Sequence, residues 1–417
     1  MNQLISSLED LTAPQYVLAA LELLQFQNPS VDRLDCLSDG ERGRFLEWCD
    51  VRQLTLLLAE VCRSPLPAWV AEPMMQKTAR YEPRFKRLKQ QLFEIVEAFN
   101  AAALEFVMLK GLSHAPAFTP DARLRAQGDI DLWLIGPSVY KGQDVLRSLG
   151  YVPQLASKSR HLSPMSPPST WRWRGDLFDS EMPVSVELHY ELWSEDTEYI
   201  VVPDLNRFWD RKQVCDFDGH NINVLCDADL LGFATLHLLL HLLHGDLPLQ
   251  RAWEIARFLD THVTDEAFWA SWSTLHPAAL RQLETSVFYL VTSWFGCHAR
   301  KEPGVDIEKL PAGVRSWLKT FSLAPITREW AANKSETWLH LALIHKPKDK
   351  ARVLFRRLLP TSMPCFADRA SPETSRLGKL LMHVRQLRLL ATRLVRHVVT
   401  FFPTIFDGLR WFWLSKS

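Results

Sequence analysis

The sequence predicts an α/β (α+β) fold in which a small mixed sheet lies between helical N- and C-terminal regions. Three observations support this prediction. Apolar residues recur at helical spacing up to about residue 103, polar and apolar residues alternate in short runs from 104 to 227, and helical spacing returns from 228 onward. With 417 residues, 47% of them hydrophobic, the chain is long enough for two or three domains with a sizeable core.

Residues 1–103 form the predicted helical N-terminal region. Its helices are expected at residues 16–25, 41–63 and 82–103. Three prolines, Pro65, Pro67 and Pro73, indicate a break between the second and third of these helices, because proline interrupts regular backbone hydrogen bonding.

Residues 104–227 contain a strand-like segment, GDIDLWL, with two acids on one side. Asp129 and Asp131 are two residues apart, so their carboxylates project together while Ile130 and Leu132 fill the opposite face. Two neighbouring carboxylates repel each other unless a positive group lies between them, and Mg²⁺ is the commonest such group. The segment therefore predicts a magnesium site.

A second alternating segment, PVSVELHYEL at residues 183–192, carries another acid. Val186 and Leu188 share one face, which leaves Glu187 on the other. If this strand lies beside the strand of Asp129, Glu187 becomes the third carboxylate of a metal cluster.

Upstream of both strands, residues 105–109 form a short apolar run that stops at Lys110 and Gly111. Glycine permits a tight turn there, and the lysine can meet phosphate charge. The turn and the acids together predict a nucleoside triphosphate site. The segment at residues 157–170 is rich in serine and proline, and we expect it to be an irregular active-site loop.

These motifs resemble those of the uncharacterised nucleotidyltransferases of the DNA polymerase β-like superfamily. The matching residues are Leu109-Lys110-Gly111, then Arg125 before Asp129-Ile130-Asp131-Leu132, then Val186-Glu187-Leu188-His189, followed by a helical region near residues 230–260. The superfamily places glycine or serine directly after the first glycine, whereas here Leu112 intervenes and Ser113 comes one position later.

The resemblance implies a nucleotidyltransferase core that transfers a nucleoside monophosphate from an NTP such as ATP to an acceptor and releases pyrophosphate. It implies two Mg²⁺ ions and three catalytic ligands, Asp129, Asp131 and Glu187. The residues implied to hold the triphosphate are Lys110, Gly111, Ser113 and Arg125. The acceptor stays open between a small molecule, a peptide and a protein, and the neutral overall charge does not indicate nucleic acid.

Residues 228–345 form a predicted helical domain in which His237, His241 and His244 fall on one helical face, followed by Asp246. Such histidines are structural, line the substrate cleft or bind a transition metal. Two alternatives to a transferase therefore stay open. One is a metal-dependent hydrolase centred on the His237 helix, and the other is a non-catalytic nucleotide-binding or partner-binding protein of the same fold.

Composition favours a cytoplasmic protein. The seven cysteines are scattered without a CxxC motif, which fits reduced thiols, and the first residues lack the apolar core of a secretion signal. No uncharged apolar stretch reaches the length of a membrane span, so we expect no transmembrane segment.

Residues 346–417 form a predicted basic helical C-terminal region. They contain 15 Lys or Arg and 4 Asp or Glu, a surplus of 15 − 4 = +11, although the whole chain is neutral. Residues 376–399 are amphipathic. We expect this helix to pack on the body of the protein, and the alternative is contact with a membrane surface or a partner.

Overall fold

The computed structural model describes residues 13–62, 65–154, 160–300, 307–327, 334–358 and 376–416, and all structural statements concern these residues. Their helices are α1 (Gln15–Leu23), α2 (Asp32–Asp35), α3 (Asp39–Val51), α4 (Thr55–Val61), α5 (Ala68–Ala101), α6 (Ser138–Ser148), α7 (Glu195–Glu198), α8 (Asp227–His244), α9 (Leu249–Thr261), α10 (Glu266–Leu275), α11 (Ala278–Phe295), α12 (Ala312–Phe321), α13 (Ala324–Thr327), α14 (Glu336–Leu343), α15 (Pro347–Leu358) and α16 (Arg376–Leu414).

Seven strands form one mixed sheet between α5 and α8. They are β1 (Val107–Met108), β2 (Asp129–Trp133), β3 (Val152–Pro153), β4 (Met165–Ser166), β5 (Ser185–His189), β6 (Gln213–Phe217) and β7 (His220–Val224). Their order in the sheet is β3-β4-β5-β2-β1-β7-β6. The central strand β2 runs parallel to β5 and antiparallel to β1. A mixed sheet flanked by helices agrees with the predicted α/β class.

The two faces of this sheet have different partners. Ile130, Leu132 and Leu134 on one face share an apolar core with α5 and α6, to which Leu92 and Ile95 of α5 belong. Trp133 on the opposite face belongs to a second core, made with α8, α9, α11 and the N-terminal helices. The acids of β2 therefore face the helical region. The predicted domain boundaries near residues 103, 227 and 345 stay a prediction.

The predicted N-terminal helices differ from the observed ones in two places. The expected helix at 41–63 is two helices, α3 and α4, because Gln53 between them has a left-handed backbone with φ 62. Residue 63 lies outside the described residues. The expected helix at 82–103 begins at Ala68 and continues through Pro73 and Pro83, so the prediction that Pro73 marks a break is wrong. Burial of the apolar face of α5 offsets the hydrogen bonds that the prolines cannot donate.

The segment at 157–170 also differs from its prediction as an irregular loop. Residues 157–159 lie outside the described residues, but Met165 and Ser166 form β4, which pairs with β3 and β5. His161 forms an isolated antiparallel bridge with His189 at the end of β5. The segment is therefore part of the edge of the sheet beside the acidic strands.

The helix α16 contacts the body mainly along α12 and α14, and many of its other apolar side chains are exposed. Its segment Leu387–Leu414 is long and apolar enough, by length and composition, to cross a membrane. Of an 18-residue apolar stretch within it, 12% is buried in the protein. The sequence analysis required an uncharged apolar stretch and therefore did not identify this segment, which contains several arginines. The described buried residues of the helix begin at Thr400, whereas the described apolar residues of the predicted amphipathic segment 376–399 are mostly exposed, so its expected packing is not observed among the described residues.

A buried ionic network links the helical region to the sheet. His276, at the start of the α10–α11 connection, contacts Asp229 of α8 at 3.2 Å and Glu284 of α11 at 2.9 Å. Arg211, which precedes β6, donates two hydrogen bonds to Asp229 at 2.8 and 2.7 Å. Burial alone would lower the pKa of His276, but the carboxylates of Glu284 and Asp229 outweigh it and raise the pKa to about 9.

We expect this network to make folding stability depend on pH. A raised histidine pKa contributes stability below the unfolded pKa of 6.5, and that contribution is lost as the pH rises through about 9. The loss for His276 is on the order of 3 kcal/mol. Urea unfolding of wild-type protein at a series of pH values across this window should show the decline.

The substitution Glu284→Gln removes the carboxylate that raises the pKa of His276 most. The loss of unfolding free energy with rising pH should therefore be less than half of the wild-type loss. The matched control is Glu266→Gln, which removes an exposed acid paired with Arg300 and should leave the pH dependence unchanged. An unaltered pH dependence in Glu284→Gln would show that His276 is not the responsible group.

Candidate metal and nucleotide site

Three carboxylates lie together on one face of the sheet. The parallel register places Asp131 of β2 directly opposite Glu187 of β5, and Asp129 lies two residues before Asp131 on the same face. The alternation of the sequence thus predicted the shared face, and β2 and β5 are neighbours, which was the condition for adding Glu187 to the cluster. The side chain of Asp131 is buried, whereas those of Asp129 and Glu187 are 28% and 21% exposed. The cluster therefore opens toward solvent on one side.

The ammonium of Lys110, at the end of β1, lies between the two aspartates. Its Nζ is 3.1 Å from Asp129 Oδ2 and 2.9 Å from Asp131 Oδ2. The contact with Asp129 is a hydrogen bond, but Asp131 Oδ2 is buried and has no hydrogen-bond partner of suitable geometry. The positive group that the two acids require is therefore Lys110 in this structure.

The two aspartates differ in pKa although they share this lysine. Burial raises the pKa of both, and for Asp129 the neighbouring charge of Asp131 raises it further. For Asp131 the ammonium of Lys110 and the imidazole of His189 outweigh burial and hold the pKa below its usual range. Asp131 is thus the stabilised anion of the pair, and the charge of Asp129 is disfavoured.

Two histidines border the acids. His189 of β5 lies 2.9 Å from Asp131 Oδ1 and 3.6 Å from Glu187 Oε2, both measured from Nε2. His161 lies 3.5 Å from Glu187 Oε2. Burial would lower the pKa of His189, but its hydrogen bonds to the two carboxylates outweigh burial and raise it. Sequence reasoning placed His189 on the acidic face without giving it a role.

The donor set fits a divalent cation. Among the described residues, the group that gathers three ligand atoms within 4.8 Å of one another consists of Asp131, Glu187 and His189. Within the described part of the chain, Asp131 Oδ2 contacts only the Lys110 ammonium, as an ion pair without hydrogen-bond geometry, so a cation that displaces Lys110 could bind it. Carboxylate oxygens suit Mg²⁺ or Mn²⁺, and the imidazole favours Mn²⁺ over Mg²⁺.

The turn after β1 carries a buried hydroxyl. Gly111 has φ +87, and a Cβ at this position would lie 2.7 Å from Gln127 Oε1, so glycine suits both the backbone and the space. Gly111–His114 form one short 3₁₀ turn. Within this turn Ser113 Oγ is buried and lacks a hydrogen-bond partner among the described residues. The phosphate-binding roles of Lys110, Gly111 and Ser113 stay predictions.

Arg125, the fourth predicted phosphate ligand, is paired elsewhere. Its Nη1 lies 3.1 Å from Glu254 Oε2 on α9 and 2.6 Å from His114 Nδ1. The backbone carbonyl of Arg125 accepts a hydrogen bond from the Tyr81 hydroxyl at 2.8 Å. These contacts fix the loop before β2 against α9 and α5, and the guanidinium is committed to Glu254. Its role in phosphate binding is still a prediction.

A different arginine, Arg160, interacts electrostatically with the acids and forms no ion pair among the described residues. The loop holds it in place, because its carbonyl accepts hydrogen bonds from the amides of Tyr190 and Glu191. Burial lowers the pKa of Arg160, and the carboxylates of Asp131 and Glu187 oppose that effect. Its Nη1 is buried and has no hydrogen-bond partner in the described part of the chain. This side chain is available to an anion that reaches the cluster.

Arg251 of α9 approaches the acids from the helical region. Burial and the neighbouring Arg125 lower its pKa to about 10, while Asp129 and Asp131 raise it. Its Nη1 donates to His241 Nε2 and, at 3.1 Å, to His237 Nε2. Sequence reasoning named neither Arg160 nor Arg251 as a site residue. Arg160 lies within the segment predicted to be an active-site loop, whereas Arg251 reaches the cluster only through tertiary packing.

Among the described residues, the histidine face of α8 does not gather three ligand atoms for a metal. Burial and the charge of Arg251 lower the pKa of His237 and His241, so both are neutral and accept hydrogen bonds from the guanidinium. His244 pairs instead with Glu198, at 3.1 Å. Ring nitrogens that accept from Arg251 cannot also bind a cation. This arrangement pairs two of the histidines with Arg251 and gives the hydrolase alternative no support.

The family model for uncharacterised nucleotidyltransferases matches residues 38–296, from the residue before α3 to the residue after α11. This range is more than half of the chain and includes the whole sheet and every residue of the acidic cluster. The chain belongs to the uncharacterised nucleotidyltransferase family. No curated protein and no solved structure matches the chain.

We expect the two aspartates to respond differently to amide substitution in metal-free protein. Asp131→Asn removes the anion that Lys110 and His189 stabilise and should cost about 2–4 kcal/mol of unfolding free energy. Asp129→Asn removes a disfavoured charge and should change that free energy by less than about 1 kcal/mol. Urea unfolding in the presence of a chelator at neutral pH measures both.

Equal destabilisation by the two substitutions, or the reverse order, would contradict the assignment of Asp131 as the stabilised anion. Neutral pH is the correct condition, because a lowered carboxylate pKa contributes stability above the unfolded pKa and loses it only on acidification.

Proposed function

We propose that this protein is a metal-dependent nucleotidyltransferase whose mixed sheet is the catalytic core. It transfers a nucleoside monophosphate from an NTP to an acceptor and releases pyrophosphate. The observation that supports this function best is the register of β2 and β5, which holds Asp131 opposite Glu187 beside Asp129. A cluster of three carboxylates next to a glycine turn suits the divalent ions and triphosphate of this reaction.

We propose that this site holds two divalent cations, one of which the group Asp131, Glu187 and His189 could bind. Asp129, Asp131 and Glu187 would hold them, and the ions would supply charge neutralisation to the triphosphate and the leaving pyrophosphate. The protein's own contribution is positioning, which is the main requirement of phosphoryl-type transfer. Asp131 is held by His189, which orients its Oδ1 and leaves Oδ2 toward the cluster.

The cationic side chains around the cluster suit the rest of the triphosphate. Lys110 and Ser113 approach from the glycine turn, Arg160 from the loop before β4, and Arg251 from α9. Guanidinium groups without a carboxylate partner are better candidates for phosphate than the paired Arg125, because an ion pair must be broken before a committed guanidinium binds. We therefore propose Arg160 and Arg251 as phosphate ligands in addition to Lys110 and Ser113.

The acceptor is a hydroxyl or phosphate oxygen of a molecule that reaches the open side of the cluster. A small molecule, a peptide or a protein fits this description equally. We place the reaction in the cytoplasm, where NTP is abundant and the six described free cysteines stay reduced.

The decisive experiment supplies each α-labelled NTP with Mg²⁺ or Mn²⁺ and measures pyrophosphate release and label transfer to protein or to added acceptors. We expect turnover with wild-type protein and a loss of at least about a thousandfold in Asp131→Asn and Glu187→Gln. The matched control is Glu191→Gln, because Glu191 follows β5 in sequence but is exposed and outside the cluster.

A non-catalytic protein of the same fold would bind nucleotide in this experiment without releasing pyrophosphate. Undiminished activity in Asp131→Asn would remove the metal cluster from the mechanism. Chelation by EDTA should abolish turnover, and restoration by Mn²⁺ above the level reached with Mg²⁺ would indicate that His189 contributes as a ligand.

The phosphate role of Arg251 predicts a selective loss of nucleotide affinity. Arg251→Gln should raise the NTP KM by about 10- to 100-fold, the range expected when one charged hydrogen bond to phosphate is lost. The control Arg257→Gln lies on the same helix on another face and should leave KM within about twofold. Isothermal titration with a non-hydrolysable NTP gives the same comparison without turnover.

If Arg251 only holds His237 and His241 in place, Arg251→Gln should lower the melting temperature while nucleotide affinity stays unchanged. That result would leave Arg160 as the one proposed arginine ligand of the phosphate, beside Lys110 and Ser113. Arg160→Gln, tested in parallel, should also raise KM, because its free Nη1 faces the same carboxylates.

A further inference from the structure

The C-terminal half of α16 has two faces of different character. Its inner face carries Thr400, Thr404, Gly408 and Trp411, which recur at helical spacing and pack on α12 and α14. Trp338 Nε1 donates to the Thr404 carbonyl at 3.1 Å. Trp411 Nε1 donates to the Gly313 carbonyl at 2.8 Å.

The inner face allows a very close approach between the helices. A Cβ on Gly408 would overlap the indole of Trp338, so a larger residue does not fit there. Trp338 and Trp411 stack with their ring centroids 5.9 Å apart. The helix is therefore fixed against the body along this face, and its orientation is defined.

The outer face is apolar and exposed. Its side chains lie within an arc of roughly 80° at 100° per residue, on the side opposite the inner face. They are between 52% and 72% exposed and comprise Val395, Val398, Phe402, Phe406 and Leu409. A continuous exposed apolar stripe of this kind on a folded protein is typical of a surface that binds a membrane, another protein or a ligand.

Charge around the stripe is strongly positive. From Arg376 to Leu414 the sequence contains seven Lys or Arg and one acid, Asp407. Arg388 and Arg410 are exposed beside the stripe, and Lys416 is exposed just after the helix. Residues 1–345 carry the compensating charge of −11, because the whole chain is neutral. An anionic surface therefore attracts this helix and repels the rest of the protein.

We propose that α16 attaches the protein to the surface of an anionic lipid bilayer, with its outer face inserted among the lipid headgroups. Apolar side chains bordered by arginine and lysine are the recognised pattern of helices that lie in the membrane interface. The helix lies along the membrane and does not cross it, because its inner face is fixed to α12 and α14. This inference does not depend on the proposed enzymatic function.

Other occupants fit these features less well. A second copy of the chain would bring two helices with seven positive residues each into contact, which like charges oppose. A nucleic acid would satisfy the positive charge but not the aliphatic and phenyl groups of the outer face. A bilayer with anionic lipid satisfies both at once.

The test is flotation of the full-length protein with vesicles. The protein should float with vesicles of phosphatidylcholine and phosphatidylglycerol and bind pure phosphatidylcholine at least about tenfold more weakly, since positively charged residues add affinity for anionic lipid. Binding to the anionic vesicles should fall as salt is added. Absence of binding to either vesicle, or binding that ignores lipid charge and salt, would overturn the proposal.

The stripe itself is tested by the triple substitution Val398→Ser, Phe402→Ser and Phe406→Ser, which should lower the vesicle partition coefficient at least about tenfold. The control substitutions Val214→Ser and Phe355→Ser change residues that are 64% and 57% exposed elsewhere and should leave it unchanged. Circular dichroism establishes that the variants are folded. Equal binding by the triple variant and the controls would overturn the proposal.

Three further outcomes would also overturn it. Protein that resists extraction by alkaline carbonate would show a helix that crosses the bilayer. A wild-type dimer in solution that becomes monomeric in the triple variant, without vesicle binding by either, would identify a second copy as the partner of the outer face. If the protein does not bind vesicles but binds RNA, and the triple variant still binds RNA, then the positive charge of α16 serves nucleic-acid binding that does not involve the stripe.

Discussion

Repulsion among three carboxylates is the constraint around which this site is organised. The parallel pairing of β2 and β5 fixes Asp131 opposite Glu187, and strand alternation adds Asp129 to the same face, so the acids cannot separate without breaking the sheet. The protein compensates with cations from three directions: Lys110 from β1, His189 from β5 and Arg160 from the preceding loop. Each cation occupies a position set by the sheet. The register of one strand pair therefore determines which carboxylates repel each other, and the sheet also positions the groups that offset this repulsion.

Sequence alternation was sufficient to predict which acids share a face, because side-chain direction in a strand depends only on residue parity. It also identified Gly111, whose positive φ requires a residue without a Cβ. It could not identify Arg251, which lies 120 residues after Asp131 and reaches the acids only because α9 packs against the loop of Arg125. For Arg125 itself, the sequence could not reveal Glu254 as the partner, since that contact depends on the same packing.

The helical predictions failed where tertiary burial outweighs local preference. Proline at position 73 is unfavourable in a helix interior, yet α5 continues through it because Val70 and Met74 on either side of it are buried in the helical core. The expected packing of the segment 376–399 of α16 is not observed among its described residues for a related reason. Periodicity shows that a helix has an apolar face, but the small residues Thr400, Thr404 and Gly408 determine which face meets the body. An amphipathic pattern alone does not distinguish the buried face from the exposed one.

The position of Lys110 couples two binding events in the proposed reaction. Its ammonium is committed to Asp129 and Asp131, so it cannot contact phosphate while it alone neutralises them. A cation bound by the acids would take over that neutralisation and leave the ammonium free to meet the triphosphate. Nucleotide and metal should consequently bind with positive cooperativity, each lowering the cost of the other. In the proposed reaction, Lys110 would return to Asp129 and Asp131 once metal and nucleotide have left, and would again offset part of their repulsion.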